Sequence, residues 1–211
     1  MDEVGGGETR SFLSPGRVWS RGEVLARPSP VPDADGVYGW WFRLPPLVDA
    51  SGCCQHEGLA LLYVGISPRR PPPDGRAPGR QGLRRRLETH YAGNAEGSTL
   101  RKTLGCLLAA ELGLELRRVG SGRRRTFAAR EPVLSAWMQE NTRVNWLVRD
   151  HPWELEDTLI ADRDLPLNLE GNSRNLFHPE LTRARARCVA RANALPVLSN
   201  PGIGGRSAKT S

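Results

Sequence analysis

Two apolar, aromatic runs constrain the fold most: residues 36–44 (GVYGWWFRL) and 59–66 (LALLYVGI), both of which read as β-strands. The 45–58 segment between them is too long for a tight hairpin, so an antiparallel pair interrupted by an inserted loop is expected. Residues 69–82 carry four prolines and three glycines, with Pro68 just before, and regular structure is not expected there. The pattern then predicts helices over 82–91, over 99–112 with Ser98 as N-cap, and over 132–141 with Pro132 in the first turn. Residues 117–127 suit a basic hairpin about Gly120-Ser121-Gly122. A third strand is expected over 142–149, where Val144, Trp146 and Val148 alternate, followed by helices over 152–163 and 179–194. Ser20-Arg21-Gly22-Glu23 has the form of a capping box.

These elements describe an α/β (α+β) domain: a small central three-stranded mixed or antiparallel sheet flanked by helices. With 211 residues, the chain has room for one domain, placed at 17–198. Residues 1–16 are expected to be a disordered tail and 199–211 a flexible one. No apolar run approaches the roughly 20 residues that span a bilayer, and the acidic, glycine-rich start is unlike a signal sequence. A cytoplasmic location is expected. Cys53, Cys54, Cys106 and Cys188 lack CxxC spacing and read as reduced thiols. Adjacent Cys53 and Cys54 project apart, which argues against a zinc site with His56.

The formal net charge of +7 points to a polyanionic partner, with nucleic acid first. That charge is uneven. Residues 69–90 hold seven arginines against Asp74 and Glu88, and residues 117–130 hold six arginines and no acid. Residues 150–170 reverse the sign, with seven carboxylates against Arg163 alone. A phosphate binder that also holds a cation would carry this pattern, and so would two solvated faces.

Helix phase picks out particular side chains. At about 100° per residue, Leu83, Arg86, Leu87 and His90 share one arc, while Arg84, Arg85, Glu88 and Thr89 point elsewhere. In the 152–163 helix, Trp153, Glu156, Leu159 and Ile160 share a face. Arg86 and Glu156 therefore lie on apolar sides, where each needs a counter-ion, a metal or a ligand. A pairing of Arg86 with Glu156 would satisfy both.

Gly36-Val37-Tyr38 and Tyr63-Val64-Gly65, then Arg86-Leu87-Glu88-Thr89-His90, then Glu156-Asp157-Thr158-Leu159-Ile160, and Asn168 within Leu165-Pro166-Leu167-Asn168, occur in an order that resembles the GIY-YIG nuclease family. The resemblance spans residues 36–168. Two insertions depart from it, at 45–58 and in the Pro/Arg-rich loop between Gly65 and Arg86, and both bear on substrate choice more than on chemistry. It implies a divalent-metal-dependent endonuclease acting on DNA, with Tyr38, Tyr63, Arg86, His90, Glu156 and Asn168 in the catalytic site.

In that reading Glu156 is the metal ligand, since a hard carboxylate suits Mg²⁺ (or Mn²⁺), which keeps most of its waters. Arg86 binds the scissile phosphate as a planar fork. Tyr38 is the general base and Tyr63 orients the water or phosphate, or the two exchange roles. His90 assists proton transfer or contacts phosphate, and Asn168 holds the site together. Arg84, Arg85, Arg123, Arg124 and Arg125 are the expected contacts to the nucleic-acid backbone. One of Trp40 and Trp41 faces the core, leaving the other to stack on a base or pack at an edge. Two other functions remain open at this point: a catalytically silent binding module, and a nuclease acting on RNA. One active site cuts a duplex only as a dimer or by two successive nicks.

Overall fold

The computed structural model describes residues 3–43, 48–72 and 81–199. Its centre is a four-stranded antiparallel sheet ordered β2–β3–β1–β6, formed by β1 (Gly36–Phe42), β2 (Gln55–His56), β3 (Leu59–Ser67) and β6 (Thr142–Val148). The three long strands match the expected ones. The two-residue β2, inside the 45–58 insertion, is the addition. All seven residues of β1 are buried, because helices cover both faces of the sheet. A strand with no wet face has no reason to alternate, hence the unbroken run GVYGWWF.

On one face, Tyr38, Trp40, Phe42, Ala60 and Leu62 pack with α3 (Leu83–Ala92), α4 (Thr99–Leu107), α6 (Glu131–Asn141) and α8 (His178–Ala194). On the other, Val37, Trp41, Leu61 and Val64 meet α1 (Glu3–Leu13) and α7 (Pro152–Asp162). The capping-box helix α2 (Arg21–Val24) and the short α5 (Ala109–Leu112) lie between larger elements, with both reciprocal bonds of the box present at Ser20 and Glu23. The basic hairpin is β4 (Arg117–Val119) paired with β5 (Arg124–Thr126).

Two expectations are corrected. Within the stretch taken as a disordered tail, residues 3–13 form α1, and Phe12 and Leu13 enter the second core. The apolar pair anchors the helix together with Asn145, which donates to the Phe12 carbonyl at 2.8 Å, and Arg149, which pairs with Glu8 at 3.0 Å. Neither Trp40 nor Trp41 is free to stack on a base: both are fully buried, Trp41 donating from Nε1 to Asn145 Oδ1 at 2.7 Å. Residues 73–80 of the Pro/Arg-rich loop, residues 44–47 and the tail from 200 onward lie outside the described residues.

A bulge positions the site. The β1–β3 register runs Tyr38 opposite Gly65 and Trp40 opposite Tyr63, then jumps so that Trp41 faces Leu61. Leu62 is the extra residue, so Tyr63 and Leu62 both associate with the face that carries Tyr38. The Tyr38 ring lies across Gly65: a Cβ there would sit 2.6 Å from the Tyr38 hydroxyl, and only glycine lets the ring settle.

Candidate active site

Tyr38 is the hub of the site. Arg86 Nε donates to its hydroxyl at 3.2 Å, and the hydroxyl lies 2.8 Å from His90 Nε2. His90 in turn places Nδ1 2.7 Å from Ser98 Oγ, which also accepts from the Arg101 amide at 3.0 Å. Since Arg86 aims a hydrogen at the Tyr38 oxygen, the tautomer with hydrogen on Nδ1 completes the chain: Tyr38 donates to His90, and His90 donates to Ser98. Arg86 and His90 come together here because they sit four residues apart on α3, one turn of a helix whose Leu83 and Leu87 are locked in the core. Burial, with Arg86 and Arg101 nearby, holds the His90 pKa well below the usual histidine range, so the ring is neutral.

Tyr63 stands beside Tyr38 and interacts with its hydroxyl. Burial raises both phenols, but not equally. Tyr38 is pulled back by the Arg86 charge and hydrogen bond, whereas Tyr63 is pushed well up and is further opposed by Tyr38. Tyr38 is therefore the easier of the two to ionise. Tyr63 is the one with open surface, since Tyr38 is only 1% exposed.

The Arg86 guanidinium spends Nε on Tyr38 and Nη1 on the Gly97 carbonyl at 3.2 Å. Among the described residues its Nη2 edge has no protein partner, and no ion pair joins Arg86 to Glu156. Burial works against the Arg86 charge, yet Tyr38, Tyr63 and Glu156 together raise its pKa.

Glu156 on α7 is half-buried and lies within electrostatic reach of Tyr38, Tyr63 and Arg86. Burial raises its pKa to about 7, with Asp157 and Glu170 adding to the rise and Arg70 and Arg86 opposing it. A half-buried carboxylate with no ion-pair partner among the described residues, and with Asp157 and Glu170 in reach, suits a hard divalent cation. No three His, Cys, Asp or Glu side chains gather as a cage among the described residues. Mg²⁺ needs none, because one or two carboxylates plus water suffice.

Asn168 braces the sheet at this point. It accepts from the Val64 amide and donates to the Val64 carbonyl, both at 2.9 Å. β2 pairs with β3 only at Leu59 and Ala60, so Val64 lies on an open edge, and the carboxamide takes the place of a missing strand. That fixes the residue next to Tyr63.

The six sequence-selected residues thus converge, while the basic ones divide. Arg85, Arg123 and Arg124 are exposed. Arg84 donates from Nε to the Val31 carbonyl at 2.8 Å, and Arg125 binds Asn193 Oδ1 at 3.0 Å. Arg118 binds the carbonyls of Ala192 and Leu195 at 3.1 and 2.9 Å, at the end of α8 where a cation is favoured. Part of the basic hairpin therefore fastens α8. Sequence reading missed Ser98 as the partner of His90, having its N-cap role only. It also missed Arg70, which pairs with Asp157 beside Glu156, and Glu170. The acidic run contained Glu170 and the Arg-rich loop Arg70, but no spacing rule singles them out.

A GIY-YIG catalytic-domain model matches residues 36–187. The chain belongs to the GIY-YIG family. Membership carries nuclease activity as its general expectation, and the antiparallel sheet flanked by helices agrees with the fold. No curated protein and no solved structure matches the chain. The GIY-YIG match ends inside α8, beyond Asn168, so it extends past the motifs that carry the resemblance. No helix among the described residues is long and apolar enough to cross a membrane.

Proposed function

We propose that this GIY-YIG protein is a divalent-metal-dependent endonuclease that hydrolyses DNA phosphodiesters. The observation that carries the proposal is the convergence of two unfinished groups beside Tyr38 and the half-buried Tyr63: the Nη2 edge of Arg86 and the Glu156 carboxylate, neither with a hydrogen-bond or ion-pair partner among the described residues. A phosphodiester and a cation would supply what these two lack.

Glu156 would hold the cation, with Glu170 adding to the negative field. When bound, the metal supplies positive charge to the phosphoryl oxygens and the leaving group. The remaining work falls to the chain's own residues. Arg86 binds the scissile phosphate by its free edge, orienting it while Nε and Nη1 stay anchored. Tyr63 holds the attacking water. As the water's oxygen bonds to phosphorus, its proton passes to Tyr38, whose own proton moves to His90 Nε2, and the bond to the leaving oxygen breaks. His90 already accepts from Tyr38 while Ser98 fixes the ring, and because burial and the Arg86 and Arg101 charges disfavour its imidazolium it holds that proton only transiently.

Supercoiled-plasmid nicking tests the proposal, with purified protein in Mg²⁺, Mn²⁺ or EDTA beside Glu156→Ala. Metal-dependent nicking is expected in the wild type and not in the variant. Equal behaviour of the two proteins, with DNA binding intact, would replace the enzyme by a binding module. Cleavage of matched RNA but not DNA would move the substrate.

A further inference from the structure

Beyond the scissile site, α8 offers a cation that the mechanism does not use. Arg185 lies on the inward side of α8, between the buried Ala184 and the half-buried Cys188, and is itself half-buried. Its only protein hydrogen bond among the described residues runs from Nη1 to Thr103 Oγ1 of α4, at 3.4 Å. No described carboxylate lies within ion-pair distance. A buried guanidinium held by one long hydroxyl contact is costly unless something anionic meets it.

Lys102, next to Thr103 on α4, also has no ion-pair partner among the described residues, and it shares with Arg185 electrostatic reach to the Cys106 thiol. Burial is the main influence on the Arg185 charge and lowers its pKa, and Cys106 and Tyr63 lie within its electrostatic reach. Tyr63, Leu181 and Ala184 pack into one core, which ties the inward face of α8 to the strand that carries the catalytic hydroxyl. The contrast with Arg101 on the same helix α4 is direct: Arg101 is closed by Glu131 at 2.7 Å, and Arg185 is left open.

Resting on the endonuclease reading, we infer that Arg185 and Lys102, with the buried Thr103 hydroxyl orienting Arg185, form a second phosphate subsite between α4 and α8, which takes a DNA backbone phosphate flanking the scissile one. The subsite sets affinity and strand register, so that Arg86 meets the correct phosphate. It reads backbone charge, not base identity. Arg185 is a substrate-binding residue in this scheme and takes no part in bond breaking.

The test is binding of a fluorescent DNA duplex in EDTA across a salt series, for wild type, Arg185→Gln, Arg185→Lys and Lys102→Gln, each checked for folding by its thermal melt. Loss of a charged hydrogen bond predicts weaker binding for Arg185→Gln, on the order of 10- to 100-fold. The slope of log affinity against log salt should fall by about one for each cation removed. Arg185→Lys should recover the slope but only part of the affinity, since it keeps the charge and loses the fork. In metal-dependent nicking, Arg185→Gln should raise KM by the same factor, with kcat within about threefold. Folded Arg185→Gln or Lys102→Gln protein with wild-type affinity and slope would overturn the subsite. If Arg185→Gln fails to fold, Lys102→Gln and Arg185→Lys decide by the same slopes. Absence of metal-dependent cleavage in the wild type would instead overturn the endonuclease reading, and the metal-free binding would still decide the subsite.

Discussion

Two arginine–glutamate sites lie within a few turns of each other in this molecule, and their difference separates structure from function. At the first, Arg101 of α4 and Glu131 of α6 are fully buried and mutually closed. Nε and Nη2 of Arg101 donate to Glu131 Oε2 at 3.1 and 2.7 Å, and Oε1 accepts the amides of Ala95 and Phe127 at 2.8 and 3.0 Å. Arg101 also reaches the His90 carbonyl and Ser135 Oγ. At the second, Arg86 of α3 and Glu156 of α7, helices on opposite faces of the sheet, do not pair, and among the described residues each keeps a side without a partner. A buried charge whose bonds are complete is a structural joint, whereas one whose bonds are incomplete, at an opening, awaits a ligand.

The comparison breaks most easily at Glu131. Glu131→Ala should lower stability by about 3–5 kcal/mol, because it leaves the Arg101 charge buried without a counter-ion and two backbone amides without acceptors. Urea unfolding measures it, and a loss below about 1 kcal/mol would show that the node is not closed in solution. Arg86→Ala should act on rate instead: losing one transition-state donor costs about 2.7–4 kcal/mol of barrier, or 10²–10³ in kcat, and should leave the urea midpoint nearly unchanged. Single-turnover nicking reads the first quantity and unfolding the second.

Glu156→Gln sharpens the contrast with the smallest of the three expected energies, a change in stability of opposite sign to that at Glu131. The folded pKa of about 7 lies above the unfolded carboxyl near 4.5, so the folded state holds the extra proton between those values. Stability should therefore fall as pH rises from about 4.5 to 7. Glutamine removes that loss. In EDTA the variant should be about 1–3 kcal/mol more stable than wild type at pH 8, after allowance for solvent screening, and equal to it at pH 4. Added Mg²⁺ should stabilise only the wild type. A variant less stable than wild type at pH 8 would mean that Glu156 is held by an internal partner, like Glu131.

Much of the fold was legible because it rests on local rules. The fully buried β1, the Ser98 and Ser20 caps, Pro132 and Pro152 in first helical turns, and the phase that turns Arg86, His90 and Glu156 inward all follow from short-range sterics and from the spacing of apolar residues. The candidate site residues on helices were legible for the same reason: a polar residue on an apolar arc stands out in any helix. Helix α1 was not, because its anchoring depends on Phe12 and Leu13 finding a sheet face built by residues far along the chain.

What the sequence alone determined is the set of elements, the inward placement of Arg86 and Glu156, and the motif order that places the chain in the GIY-YIG family. Which charges close on each other was decided only by tertiary structure. Arg101 and Glu131 are thirty residues apart, Arg185 meets Thr103 across eighty-two, and Asn168 reaches Val64 across a hundred and four. Helix phase says that a charge turns inward, but the partner it finds depends on how distant helices dock, and a guanidinium looks the same in the sequence whether that docking closes it or leaves it open.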